Sequence, residues 1–196
     1  MNSRNTIKYQ FSFTASNAMI PEFIKLAEQV SKGTHIDDVS DEVLGREKGA
    51  TNKRQFQELR KRLKNLTPQQ IRLLAEGSFD EQKHLTHLAL CKTYGIYRDF
   101  VTQVIHEKVQ IYDHQLSELD MNSFMSKKKL DHPELESLAV STEKKVRQVI
   151  YRMLQQVGMI DSVTNPSILI PNVTLRVQEV IINDDPKGLK CFLQTY

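Results

Sequence analysis

The sequence predicts a mainly helical protein, all-α apart from a small C-terminal β-hairpin, and three observations lead to that prediction. Apolar residues recur at spacings of three and four through most of the 196 residues. Seven glycines and six prolines are too few for a loop-rich β protein. After Gly158 the pattern changes to short apolar runs around a turn-rich stretch, which is typical of a hairpin. We therefore expect helix-turn-helix and winged-helix elements around a central helical bundle.

Residues 1–76 are predicted to form an N-terminal helical region of the helix-turn-helix type. Alternating apolar and polar residues at 9–13 predict a short extended arm before the first helix. The helices predicted in this region are 16–32, 35–45, 51–66 and 67–75. The two helices before the third, with a turn at 45–49, would hold it as in a helix-turn-helix.

Residues 77–135 are predicted to form the central helical bundle, and residues 136–196 the winged-helix-like region. The central segments are a long helical stretch over 79–113, interrupted near Gly95, and a helix over 117–130. The C-terminal segments are a helix over 141–157, a hairpin from Met159-Ile160 to Ile168-Leu169-Ile170, and a last helix over 173–182. We expect the three regions to pack as one compact unit.

The composition also limits the setting of the protein. The N-terminus lacks a basic-then-apolar signal peptide, and no apolar run approaches the roughly 18 residues of a membrane span. The two cysteines, Cys91 and Cys191, lie far apart, so a disulfide framework is not expected. We expect a cytoplasmic protein with no membrane partner and no cofactor.

Charge is distributed unevenly along the chain, although the net charge is only +3. Residues 46–64 carry eight basic and two acidic side chains, and residues 141–152 carry four basic and one acidic. These two segments therefore hold a net charge of +9, and the rest of the chain holds −6. Because the cations are concentrated on two predicted helices, those helices are the candidate sites for an anionic partner.

The predicted helix 51–66 has an apolar side and a cationic side. Its apolar stripe consists of Phe56, Leu59, Leu63 and Leu66. The candidate DNA-binding residues are Thr51, Asn52, Lys53, Arg54, Gln57, Arg60, Lys61 and Lys64. A helix of this kind is suited to the major groove, where polar side chains reach base edges and cations neutralise phosphates. The alternative is a solvated basic face with no partner.

The predicted helix 141–157 repeats this arrangement. The candidate DNA-binding residues on it are Lys144, Lys145, Gln148 and Arg152. A helix followed by a hairpin is typical of the winged-helix architecture, in which the helix enters a groove and the hairpin touches the backbone. The alternative is an amphipathic core helix with an ordinary basic exterior.

Few residues point to catalysis or to a metal. His84, His87 and Cys91 fall on one face of a helix and offer three zinc-type ligands, but no fourth ligand has an obvious place near them. A buried packing set is the favoured interpretation, so no metal is expected. Phosphate loops, kinase motifs and paired catalytic carboxylates are absent from the sequence, so we predict no catalytic residues and no enzyme.

The chain resembles the BrxA family of bacteriophage-exclusion (BREX) defence systems. The segments that carry the resemblance are YQFSFTASNAMIPEFIKLA, TNKRQFQELRKRLKNLTPQQIRLLAEGSFDEQKHLTHLALCKTYGIYRDFVTQVIHEKV, LDMNSFMSKK, STEKKVRQVIYRMLQQVGMI and ILIP. The likeness extends from Tyr9 to Pro171. It implies a small helical, non-enzymatic component of a multi-gene defence locus, with helix-turn-helix or winged-helix elements and DNA association. It also implies central helices similar to those of NusB, an antitermination factor that binds RNA.

These observations give one leading hypothesis and two alternatives. The leading hypothesis is a DNA-binding accessory protein that contacts the duplex backbone through its basic helices, with double-stranded DNA and other defence-system proteins as partners. The first alternative is a protein-interaction adaptor in the defence complex without direct nucleic-acid binding. The second is an RNA-binding, NusB-like protein.

Overall fold

A computed structural model describes residues 8–45 and 49–194, and in these residues the protein is mainly helical. The helices are α1 (Ile20–Ser31), α2 (Ala50–Lys64), α3 (Pro68–Glu76), α4 (Phe79–Thr93), α5 (Gly95–Phe100), α6 (His106–Gln110), α7 (Glu118–Lys129), α8 (Pro133–Glu136), α9 (Val140–Gln156) and α10 (Leu175–Ile182). A π-helical turn over Val101–Ile105 joins α5 to α6. Short 3₁₀ helices cover Ser12–Ala15, Asp41–Leu44 and Pro186–Phe192.

Three of the helices begin with a reciprocal capping box. In each, a Ser or Thr side chain accepts the backbone N–H three residues later, and the side chain at that later position accepts the cap's own N–H. The pairs are Thr67 with Gln70, Ser78 with Glu81, and Ser117 with Asp120. These caps place the starts of α3, α4 and α7 within two residues of the predicted positions.

The buried apolar side chains form one continuous cluster that includes residues from both ends of the described chain. α1 packs along α3, and α10 packs on α3 and α4. Polar contacts reinforce the meeting of α3 and α10: the buried Gln70 amide donates to the carbonyl oxygen of Val180 at 2.9 Å. Lys92 at the end of α4 pairs with Asp184 just after α10, at 2.8 Å. The C-terminal segment is therefore held against the N-terminal helices.

One of the two helices predicted to precede α2 in the helix-turn-helix, the helix 35–45, does not form. Within 35–45 only a single 3₁₀ turn forms, over Asp41–Leu44, and the turn predicted at 45–49 includes residues 46–48, which lie outside the described residues. The extended arm predicted at 9–13 was also wrong in part, because its last two residues begin the 3₁₀ turn at Ser12–Ala15. α1 starts at Ile20 instead of residue 16, after Met19 adopts a left-handed backbone with φ of 54°.

The predicted C-terminal β-hairpin and winged helix were wrong. The two apolar runs meet only in a single antiparallel bridge, Ile160 to Ile168, and no β-sheet forms in 8–45 or 49–194. A second isolated bridge joins Gln115 to Ser167, so residues 167–168 pair with two different segments of the chain. Pro166 and Pro171 flank this segment and supply no backbone N–H, which prevents a ladder from extending. Without strands, α9 has no wing beside it.

The central helical stretch is divided where the sequence predicts. α4 ends at Thr93, and Tyr94 is extended before α5 begins at Gly95. A side chain at Gly95 would meet the Tyr9 ring at 3.2 Å, which explains the glycine at this position. None of the described helices is both long enough and apolar enough to cross a membrane.

Candidate nucleic-acid interface

The N-terminal half of α2 presents an outward polar face. Thr51, Lys53, Arg54 and Gln57 are exposed. The side chains of Lys53 and Arg54 form no ion pair or hydrogen bond with any residue in the part of the chain that the structure describes. Their apolar neighbours on the helix, among them Phe56, are buried in the core. This half of α2 therefore carries two uncompensated cations on a rigid support.

Asn52 points the other way. Its side chain is 4% exposed, and its amide nitrogen donates to the carbonyl oxygen of Asp41 at 3.2 Å. Its Oδ1 atom has no hydrogen-bond partner among the described residues. Asn52 thus supports the connection between the Asp41–Leu44 turn and the start of α2 from within the protein.

Two cations in the C-terminal half of α2 share one carboxylate, so this group of three side chains keeps a net charge of +1. Asp37 pairs with Arg60, and also with Lys64 at 2.6 Å. The hydrogen bond from Lys64 is the largest cause that holds the pKa of Asp37 below its usual value. Because Asp37 is itself exposed, it is in a position to be displaced from these two cations by a competing anion.

Lys61 lies beside a cleft of about 490 Å³ at the same end of α2. Its ammonium group donates to the amide oxygen of Gln10 and lies 5.3 Å from the centre of the Tyr94 ring. The residues that line the cleft are Gln10, Gln57, Arg60, Lys61, Lys64, Asn65, Lys92 and Thr93. Four of them are cations, and Lys61 is the one of the four without a carboxylate partner among the described residues, because Arg60 and Lys64 pair with Asp37 and Lys92 pairs with Asp184. Lys92 comes from α4, and nothing in the sequence pattern placed it near α2.

Arg62 is the cation whose role the charge pattern does not reveal. Its side chain is completely buried, and its guanidinium donates to the carbonyl oxygens of Ser16, Asn17 and Ala18 at 2.8–2.9 Å. Its Nε atom donates to the Tyr94 hydroxyl at 3.0 Å. That hydroxyl in turn donates to the buried Glu58 at 2.7 Å. The i, i+4 spacing of Glu58 and Arg62 is the one sequence signal that points to this network.

α9 presents a second outward cationic face. Lys144, Lys145, Gln148 and Arg152 are all exposed, and no described residue forms an ion pair with any of the three cations. Arg147 differs, because it pairs with Glu143 at 2.5 Å. Burial raises the pKa of Glu143, but hydrogen bonds from Lys129 and Arg147 outweigh burial and lower it below its usual value.

A cleft of about 570 Å³ lies beside this face, between α7, α9 and the turn at 163–166. Gln148 lines it, together with Arg147 and the half-buried Tyr151. Burial raises the pKa of Tyr151 to about 12, so its ring and hydroxyl remain neutral at physiological pH. The exposed face of α9 therefore borders a space with both aromatic and amide walls.

The two basic helices are tied to one connecting segment. α2 reaches it through Arg62 and through Gln55, whose amide donates to the carbonyl oxygen of Ala15 at 3.3 Å. α9 reaches it through Gln156, whose amide oxygen accepts the backbone N–H of Ala18 at 2.9 Å. Residues 12–18 thus fix the position of α2 relative to the C-terminal end of α9.

The histidine and cysteine set on α4 is buried, as the packing interpretation expects. His84, His87 and Cys91 are all less than 10% exposed, and within 8–45 and 49–194 no group of three or more potential ligands is arranged to hold a metal ion. Burial lowers the pKa of His87 to about 4, which keeps its ring neutral. The structure also places Cys191 next to this set, although it is distant in the sequence.

Together these features define a small helical protein with cationic faces on two separate helices. The model of the BrxA family matches residues 7–185, and the chain belongs to this family. A curated relative from Escherichia coli O9:H4 (strain HS), described as "BREX protein BrxA", is 28% identical over 112 residues. That match covers 57% of this chain and 53% of the relative, so it spans about half the length of the curated protein.

The fold is also found in a solved structure. An uncharacterized protein from Magnetospirillum magneticum has a TM-score of 0.82 to this chain, with 19% sequence identity. The similarity covers 96% of this chain and 99% of the other. At this level of identity the likeness concerns the fold alone.

Proposed function

We propose that this protein is a non-enzymatic DNA-binding component of a BREX anti-phage defence system. Membership of the BrxA family and the curated BREX relative support the defence role and other defence-system proteins as partners. The DNA-binding role rests on one observation: five exposed cations on two helices have no acidic partner among the described residues. They are Lys53, Arg54, Lys144, Lys145 and Arg152.

Unpaired cations of this kind favour a polyanion because no internal ion pair must be broken on binding. The proposed contacts are with the phosphate backbone, since Lys and Arg neutralise phosphates without reading the base sequence. The exposed polar residues Thr51, Gln57 and Gln148 lie beside these cations and would contact sugar, phosphate or base edges. Arg60, Lys61 and Lys64 would contribute second, because each already holds a partner in the free protein.

The salt dependence of binding tests this proposal quantitatively. Neutralising five phosphates gives a slope of log affinity against log salt of about −4.5, or an affinity loss of about 500-fold between 50 and 200 mM salt. Fluorescence anisotropy with a labelled DNA duplex measures both the affinity and the slope. Absence of binding at 50 mM salt would contradict the proposal.

Charge reversal identifies the helices that bind. Replacing Lys144, Lys145 and Arg152 with Glu is expected to weaken binding by about tenfold or more and to make the salt slope shallower by about 3. The pair Lys53→Glu and Arg54→Glu should make it shallower by about 2. Arg72→Glu is the matched control, because Arg72 is an exposed cation on α3 beside Glu76 and Glu179.

The alternatives are outcomes of the same measurements. A matched RNA duplex that competes more strongly than DNA would favour the RNA-binding alternative, because the two duplexes differ in groove geometry. If none of the charge reversals changes the affinity for DNA, the proposed faces of α2 and α9 are not the DNA-binding surface. Co-purification with another defence protein that survives nuclease treatment, without any DNA affinity, would favour the adaptor.

A further inference from the structure

The last 3₁₀ helix, Pro186–Phe192, brings together two cysteines that lie one hundred residues apart in the chain. This segment packs against α4, and the Phe192 ring makes edge-to-face contacts with His84 and His87 at 5.8 and 5.1 Å between ring centres. The residue before Phe192 is Cys191, and the α4 residue one turn after His87 is Cys91. The packing therefore brings Cys191 and Cys91 to the same histidine, His87.

His87 contacts both cysteines through one nitrogen. Its Nε2 lies 2.9 Å from the carbonyl oxygen of Cys191 and 3.7 Å from the Cys91 Sγ. A carbonyl oxygen only accepts, so Nε2 carries the hydrogen, and Nδ1 accepts from the Tyr97 hydroxyl at 3.0 Å. Both thiols are free and buried, and the shared contact with His87 Nε2 places the Cys91 sulfur beside the backbone of Cys191.

We propose that Cys91 and Cys191 form a redox-active dithiol, which a peroxide converts into an intrachain disulfide between α4 and the Pro186–Phe192 segment. This role goes beyond nucleic-acid binding and does not depend on it. A neighbouring pair of thiols on two distant segments is the arrangement that cross-linking requires. A packing role alone needs only small apolar side chains at these positions.

The environment distinguishes the two sulfur atoms. The hydrogen bond from the Cys91 thiol lowers the pKa of Cys191, whereas burial raises the pKa of Cys91. Cys191 is therefore assigned as the nucleophile. Cys191 also belongs to a short 3₁₀ segment, which can open locally more easily than the 15-residue α4.

The reaction proceeds in two balanced steps. The Cys191 thiolate attacks one peroxide oxygen, so an S–O bond forms, the O–O bond breaks, and hydroxide leaves and takes a proton to become water. The Cys91 sulfur then attacks the Cys191 sulfenic acid, forming the S–S bond and breaking the S–O bond. The departing hydroxide takes the Cys91 proton, so each peroxide oxidises two thiols and yields two waters.

Treatment of the folded, full-length protein with hydrogen peroxide tests the proposal. The intact mass is expected to fall by two hydrogen atoms, and a proteolytic map should contain the peptides of Cys91 and Cys191 joined together. Because the cross-link closes a long loop of the unfolded chain, the melting temperature should rise by about 5–15 °C. Dithiothreitol should reverse both the mass change and the thermal shift.

Cys91→Ala and Cys191→Ala serve as matched controls. Each should gain oxygen or remain unmodified, without an intrachain link and without a thermal shift. Oxygen addition to the wild-type protein without a cross-link would overturn the proposal, and so would thiols that stay reduced or a disulfide that forms only in urea. The wild-type peptide map decides the matter even if one of the variants fails to fold.

Discussion

The three arginines on α2 have different roles, which follow from how deeply each side chain is buried. Arg54 is exposed and has no described partner, Arg60 is paired with Asp37, and Arg62 is buried with every direction of its guanidinium engaged. A buried guanidinium persists only where carbonyl, hydroxyl or carboxylate oxygens surround it, because desolvation without such partners is costly. Arg62 therefore holds residues 16–18 in place and is not a contact for a partner.

Replacing Arg62 with Met should destabilise the protein strongly. The substitution leaves three buried backbone carbonyl oxygens and the Glu58–Tyr94 pair without their donor, which costs about 2–4 kcal/mol of the free energy of unfolding. Urea denaturation followed by circular dichroism measures this loss. Arg54→Met is the control and should change stability by less than about 0.5 kcal/mol. Equal effects of the two substitutions would contradict the structural role.

Asp99 makes stability depend on pH in acid. Burial raises the pKa of Asp99, but hydrogen bonds from Lys128 at 2.6 Å and Tyr9 at 2.7 Å outweigh burial and lower it below its usual value. A carboxyl with a lowered folded pKa stabilises the protein above its unfolded pKa, and this stabilisation is lost as pH falls through the folded pKa. The relevant window therefore lies below about pH 4.

Asp99→Asn should consequently cost stability at pH 6, and its cost should shrink toward pH 3. Urea unfolding of both proteins at the two pH values measures the difference. Asp131→Asn changes an exposed carboxyl for which the described residues show no ion pair, and it should have little effect at either pH. A cost for Asp99→Asn that is the same at both pH values would contradict the assignment.

At the scale of secondary structure, helix boundaries follow local chemistry whereas the hairpin does not. α9 runs from Val140 to Gln156, close to the predicted 141–157, because its apolar repeat and the glycine after it are local signals. The hairpin prediction relied on two apolar runs in the sequence, and these runs pair only through one isolated bridge. The residues at 166–168 instead divide their backbone pairing between 114–116 and 159–161.

Gly158 ends α9 because its backbone is left-handed, with φ of 80°. Gly158→Ala should destabilise the protein by about 1 kcal/mol, since a β-carbon strains this conformation although the surrounding space is open. Asn tolerates the left-handed region better, so Gly158→Asn should cost less. Chemical denaturation of the three proteins measures the order, and an alanine variant as stable as the wild type would contradict it.

At the scale of the whole molecule, contacts between distant segments hold the regions together. The Gln70 amide reaches both the Val180 carbonyl oxygen and Asp184, and the apolar cluster is continuous from Tyr9 to Leu193. The sequence predicts three regions, with boundaries at about residues 76 and 135. The packing of α3 against α10 links the first of these regions to the last.

We therefore predict that the protein unfolds in a single cooperative transition. Far-ultraviolet circular dichroism and tyrosine fluorescence, which is available because the chain has six tyrosines and no tryptophan, should give coincident urea curves. Gln70→Ala should shift both curves equally, because it removes a contact that joins the two ends. Two separate transitions would show that the regions fold independently.

The sequence predicted the positions of most helices and the two basic faces, because an apolar repeat and the side chains opposite it lie within a few turns of one helix. It did not predict that Asn52 and Arg62 are buried, since their partners come from Asp41 and residues 16–18. It also did not predict Lys92 beside α2. These contacts join different elements, and no local spacing encodes them.

The amino-acid sequence alone determined a helical protein with its excess positive charge on two amphipathic helices. Only the tertiary structure decided which of those cations remain without an internal partner, that Cys191 lies against Cys91, and that no wing accompanies α9. The physical reason is one of range. Helix formation depends on neighbours three and four residues away, whereas burial, ion pairing and thiol contact depend on segments that only the packed core brings together.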